Sequence, residues 1–347
     1  MRLLHLKSPC LAGRILPTHC AVRNDTCAEA DYYFERRLPG SKYDALSADA
    51  PKTNEEKGFS INEFLILSGR ERTDLWVPST FNRSALTSVL GTEVVFVDPQ
   101  VAQWGLKNFL VAIGGDIIEV VSPFKDDTTA GRLLKKRGQG GYMIIMQTLD
   151  AAARREHIES RGLAKVIFSH VHDDVQCVQY HPKGIAGGMM PELDSHAPSP
   201  SNPTPLESAF SPWHACGTEY EKYSSGMRRC SHLKLLGATL RLAPGQTDVQ
   251  AAAQQWQDYF GVRREGSQLM FTNARLTFVP GVEGEAEGLE SITVEVKGKK
   301  RFDRMLDIAR KEGLCGHGWT NLLGVKWYFV LREDENEDDR NQRGSRL

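Results

Sequence analysis

A chain of 347 residues with 43 Lys and Arg against 44 Asp and Glu has a formal net charge of −1, which excludes the basic footprint of a nucleic-acid partner. No apolar run reaches the roughly 20 residues that a membrane helix needs, and the length suits one large domain or two ordinary ones. Seven scattered cysteines without a CxxC pair exclude a disulfide framework or a zinc knuckle and favour a reducing, cytoplasmic setting. Residues 1–58 show little periodicity, and Pro39, Gly40 and the polar stretch 47–57 read as a disordered or leader segment. Its start is poor in acids and bears Arg2, Lys7, Arg14 and Arg23, a loose likeness to an organellar transit peptide that a disordered leader explains more cheaply. The spacing of His5, Cys10, His19, Cys20 and Cys27 matches no standard metal site.

From residue 59 a cadence recurs: a short apolar strand, an amphipathic helix closed by glycine, then two or three strands. Gly91, Gly162, Gly261 and Gly313 stand where a helix ends in the left-handed conformation. The first unit runs from a strand at 64–67 through a weak helix ending near Leu90 to strands at 92–98 and 104–123. Gly69, Pro78 and the polar run 70–74 blur its opening. The second has a strand at 141–148, a helix at 150–161 capped by Asp150, and strands at 164–169, 175–180 and 186–193. Residues 196–230 read as a linker, opened by HAPSPSNPTP and carrying Trp213 and His214 to stitch the halves together. The third unit has a strand at 235–242, a helix at 248–260 with Ala252, Ala253, Trp256 and Phe260 on one face, and strands at 268–272 and 274–279. The fourth has a strand at 289–296, a helix with Phe302, Met305, Leu306 and Ala309 on one stripe, and a closing strand at 325–331; residues 333–347 form a charged tail.

This order predicts an α+β fold of repeated βαβββ modules paired into half-open mixed-sheet barrels, the first pair spanning 59–195 and a second, degenerate pair 231–332. Pairing buries each module's apolar face and leaves a concave pocket. Two strands set a carboxylate in an otherwise apolar run: Glu119 shares a face with Ile117 and Val121, and Glu192 with Met190 and Asp194. A buried carboxylate is expensive unless a metal, a cation or hydrogen-bond donors compensate it, so both are candidate site residues. Trp104 and Asn108 open the long hairpin and are candidates for the pocket mouth. His181, held by Pro182, is a turn anchor and pocket candidate, while His170 and His172 fall at a strand end beside the turn residues Asp173 and Asp174.

The segments WGLKNFLVAIGGDIIEVVSP, GQGGYMIIMQT and YHPKGIAGGMMPELDS resemble the vicinal oxygen chelate superfamily, more narrowly its glyoxalase-like domain proteins. The last is similar to the closing strand of methylmalonyl-CoA epimerases, and PWHACGTEYEKY to the bridge between paired modules in large glyoxalase-like proteins. The resemblance implies a divalent metal of unknown identity in the cup, held from the first and last strands of each module, with Glu119 and Glu192 as the last-strand ligands. The usual first-strand histidines do not map: 64–67 offers no ligand, and 141–148 offers Tyr142 and Met143, with Gln147 as a substitute. The implied activity is metal-assisted isomerase, epimerase or lyase chemistry on a small molecule. The alternative is a non-catalytic, drug-sequestering type of binding module. Phe278 replaces the last-strand carboxylate of the third unit, which makes the C-terminal half a scaffold and disfavours an extradiol dioxygenase.

Overall fold

The computed structural model describes residues 59–68, 80–125, 127–172, 175–200, 202–210, 216–217 and 219–333. The leader, the blurred segment 69–79, Asp173, Asp174, Trp213, His214 and the tail from 334 lie outside the described residues. Among those described, no helix is long and apolar enough to cross a membrane.

Two runs of elements build the first sheet. The first is β1 (Ser60–Leu67), α1 (Thr80–Leu90), β2 (Val94–Phe96), a 3-10 turn (Pro99–Trp104), β3 (Leu106–Ile113) and β4 (Asp116–Pro123). After α2 (Thr129–Arg137) come β5 (Gly140–Gln147), α3 (Ala151–Ser160), β6 (Val166–His172), β7 (Val175–Tyr180) and β8 (Met190–His196). They form one eight-stranded sheet in the order β2-β3-β4-β1-β5-β8-β7-β6. Each first strand lies parallel to its own last strand, and β1 meets β5 antiparallel. The fold is therefore α+β with paired βαβββ modules.

The registers expose a local two-fold relation. Leu65 pairs with Glu119 and Ile145 with Glu192, while Leu65 faces Met143 and Glu63 faces Ile145 across the seam. Glu119 and Glu192 thus hold equivalent places, as do Glu63 and Met143. The sheet also curls on itself. Trp104, beside one edge, meets Phe168 of the opposite edge strand β6, ring centroids 6.2 Å apart and nearly perpendicular. That contact joins the two ends of the sheet.

A second sheet follows α4 (Tyr220–Arg229), a helix lying within the segment read as a linker. It contains β9 (Leu233–Arg241), α5 (Val249–Phe260), β10 (Arg263–Glu265), β11 (Gln268–Met270), β12 (Arg275–Val279), β13 (Gly288–Lys297), α6 (Lys299–Lys311), β14 (Thr320–Leu322) and β15 (Val325–Arg332). Its order is β10-β11-β12-β9-β13-β15-β14, with β9 and β13 meeting antiparallel as β1 and β5 do. Asp248 caps α5 by accepting the Ala251 N–H at 2.9 Å, and Gly261 closes it with φ of 79°. Helices α1 with α6 and α3 with α5 pack between the sheets, so one apolar core containing Phe64, Phe109, Trp256 and Trp327 belongs to both halves.

The sequence places most strands within a few residues but starts β1 four residues late and misses α2, α4, β10 and β14. The late start matters most, because the missing piece carries Glu63.

Candidate functional site

The concave face is built strand by strand from residues that alternate away from the shared core. From β3 come Asn108, Leu110 and Ala112, opposite Val121, Glu119 and Ile117 of β4. From β7 come Cys177 and Gln179, opposite Asp194 and Glu192 of β8. Two bulges adjust this pattern. On β1, Ile61 pairs with Met146 but Glu63 with Ile145, so Asn62 is an extra residue and Glu63 is turned onto the concave face. On β5, Leu65 pairs with Met143 but Ile66 with Gly141, which makes Tyr142 the extra residue. Tyr142 consequently packs with the apolar residues of the cup around Leu65 and Met143, and not on the face away from Gln147. An amide from the other half fixes the first bulge: Asn273 Oδ1 accepts the Ile61 N–H at 3.0 Å, and its Nδ2 donates to Ile61 O and, at 2.8 Å, to Asp116 Oδ1.

Four carboxyl groups result on one buried surface: Glu63 at 1% exposure, Glu119 at 5%, Glu192 at 4% and Asp194 at 1%. Among the described residues, no lysine or arginine forms an ion pair with any of them. Glu119 and Glu192 have neutral donors. The Asp98 N–H occupies Asn108 Oδ1 at 3.0 Å, which directs the Asn108 amide N–H at Glu119 Oε1. Gln179 Nε2 donates to Glu192 Oε2 at 2.6 Å. Glu63 has no such help: neither of its oxygens meets a hydrogen-bond donor, and the Glu119 carboxyl is what faces it.

Burial sets the protonation of this surface. It raises Glu119 to about 7 despite the Asn108 donation and the contact with Glu63, with Asp98 and Glu192 pushing the same way as burial. Glu63 is held well above the usual carboxylate range by burial and then by Glu119. Asp194 is held well above it by burial and then by Glu192, and burial raises Glu192 itself. Protons or a cation must therefore accompany these groups at neutral pH.

The rim is covered from two sides. Helix α2, capped by Thr128 Oγ1 on the Gly131 N–H at 2.9 Å, sets Ala130, with Leu133 and Leu134, over Leu65, Leu67 and Val121. The segment before β9 sets Cys216, Tyr223 and Met227 over Leu110, Ala112 and Ile117. The Cys216 thiol is pushed up by burial and by the nearby charges of Glu63, Glu119 and Asp98.

Of the residues singled out from sequence, Glu119, Glu192 and Asn108 lie together in the cup, and Tyr142 lies beside them. Trp104 is 50% exposed, its ring against Phe168. His181 is the turn anchor expected of it, exposed after β7 with its Nδ1 accepting the Lys183 N–H at 3.0 Å; its pocket reading is corrected, because the ring serves the turn and is not among the carboxyl groups. Gln147 is buried opposite Asp194, and His170 faces Cys177 from β6. Sequence reasoning missed Glu63, Cys177 and Gln179. Glu63 stands in the polar-looking run SINE, and the only signal was its two-residue spacing from Leu65 and Leu67.

No protein-family model and no curated protein matches this chain. Among solved structures it is similar to a hypothetical protein from Staphylococcus aureus, at 10% identity and a TM-score of 0.47 over 79% of this chain and 100% of that one. It is also similar to a methylmalonyl-CoA epimerase in complex with methylmalonyl-CoA and NH4+, at 21% identity and a TM-score of 0.33 over 40% of this chain and 96% of that one. The methylmalonyl-CoA epimerase from Mycobacterium tuberculosis gives 19% identity and a TM-score of 0.33 over 40% of this chain and 89% of that one.

Proposed function

We propose that the chain is a small-molecule enzyme of the glyoxalase-like kind, moving a proton on a guest bound in the cup, with the Glu63 and Glu119 carboxyl pair carrying that proton. One observation supports this above the others: Glu63 is 1% exposed and both its oxygens face no donor, an arrangement that stability alone does not favour. A carboxyl raised to about 7 beside a second one suits general acid–base work, because each form is populated near neutral pH. Asn108, locked by the Asp98 amide, keeps the Glu119 carboxyl oriented through the transfer. Leu65, Met143, Ile145 and Met190 supply an apolar floor that excludes water.

The donor set also fits a hard divalent cation, since the Glu63 oxygens and Asp194 Oδ1 are unpartnered and, among the described residues, no basic side chain pairs with the four carboxyl groups. Glu119 and Glu192 would hold it, and when bound it would polarise an oxygen of the guest.

The test is deuterium exchange from solvent into 2-oxoacids, α-hydroxyketones and acyl thioesters, with magnesium or manganese present, followed by mass spectrometry. Wild-type protein is expected to label at least one class, and Glu119→Gln to lower the rate by roughly 100-fold or more. Binding of a probe with no exchange would instead select the sequestering module, a reading favoured by the Cys216, Tyr223 and Met227 cover over one end of the cup.

A further inference from the structure

The local two-fold relation brings out a difference between the halves of the cup. In the first module, the places around the last-strand glutamate are Asn108, Glu119 and Val121, where an amide donor answers the one carboxylate. The equivalent places in the second module are Cys177, Glu192 and Asp194. A thiol has replaced the amide, and a second carboxylate has replaced the valine. All three are buried, and a ligand atom from each lies within 4.8 Å of the others. Asp194 Oδ1, in a side chain at 1% exposure, has no hydrogen-bond partner. On the same face, His170 stands across from Cys177, and His196 follows Asp194 two residues on.

We infer that Cys177, Glu192 and Asp194 form a sulfur-bearing site for a borderline transition-metal cation such as zinc, set apart from the oxygen-only Glu63 and Glu119 side of the cup. It shares Glu192 with the function proposed above but does not depend on proton transfer at Glu119. The chemistry of the donors selects the cation. Thiolate with carboxylate suits zinc or cobalt, whereas magnesium and calcium prefer oxygen ligands alone. Binding exchanges protons for the cation: the Cys177 thiol and any protonated carboxyl release theirs to solvent as the metal bonds form, with no redox step. One divalent charge then answers the two acidic groups that otherwise share the pocket.

The experiment is titration of the full chain with cobalt, read by the near-ultraviolet thiolate-to-cobalt charge-transfer band, and with zinc, read by native mass spectrometry and thermal melting. The wild type is expected to give the band and to melt higher with zinc than with a chelator. Cys177→Ser should abolish the band and weaken zinc binding by roughly 100-fold, the upper end of what losing even an outer partner costs. Asp194→Asn, which keeps size and shape, should weaken zinc binding while the protein still melts cooperatively. A band that survives Cys177→Ser, or one removed by Cys216→Ser instead, would overturn the assignment, as would a wild type indifferent to zinc. The wild type separates the two readings: a band without proton exchange sinks only the proposed function, and exchange without a band sinks only this site.

Discussion

At the scale of single residues, the cup is governed by which carboxyl oxygens have donors. Glu119 and Glu192 each receive one amide hydrogen, from Asn108 and Gln179, while Glu63 receives none. An unanswered buried carboxyl costs stability, so its replacement by an apolar side chain of similar volume should relieve the fold. Glu63→Leu is expected to raise the denaturant midpoint by the equivalent of about 1–3 kcal/mol while removing proton exchange. A fall in stability would mean that the hydrogen bond between the Glu63 and Glu119 carboxyls outweighs the cost of burying Glu63.

At the scale of elements, glycine pairs decide how closely the parts approach. The β3–β4 turn carries Gly114 with φ of 63° and Gly115, and a Cβ on Gly115 would lie 1.6 Å from the Ala209 carbonyl oxygen. The turn is thereby pressed against the connecting segment that leads to the cover over the cup. Gly115→Ala is expected to cost about 1–3 kcal/mol, measured by chemical denaturation, because backbone must move to admit a methyl group. Much at this scale was legible in sequence. Alternating apolar runs gave most strands, and Gly91, Gly162, Gly261 and Gly313 all take positive φ where a helix ends. The bulges were not legible, because a slip at Asn62 or Tyr142 comes from pairing with a distant strand and leaves no local mark. Glu119 and Glu192 were visible as charges inside apolar runs. Glu63 was hidden by Ser60 and Asn62, whose polarity imitates the edge of a loop.

At the scale of the whole molecule, the C-terminal sheet is more than a support. Its Asn273 reaches across to hold the β1 bulge that aims Glu63, and it shares that duty with Asp116. Burial raises the Asp116 carboxyl from 3.8 to about 8, against the Asn273 donation and the pull of Lys234. Between those values the folded chain keeps a proton that the unfolded chain has released. This contribution to stability is full below about pH 3.8 and is lost as pH rises through about 8. Thermal melts of wild type should therefore fall across that window, and Asp116→Asn should make the fall shallower by removing one of the raised carboxyl groups. An unchanged slope would show that Asp116 titrates alike in the folded and unfolded chain.

The ring contact between Trp104 and Phe168 joins the two ends of the first sheet, and Trp104 is half exposed there. A guest passing that way has to part the rings, and an indole losing its neighbour changes the polarity it senses. The molecule thus carries its own optical gauge of occupancy: intrinsic fluorescence should shift on filling and stay still in Trp104→Phe, with no dye attached.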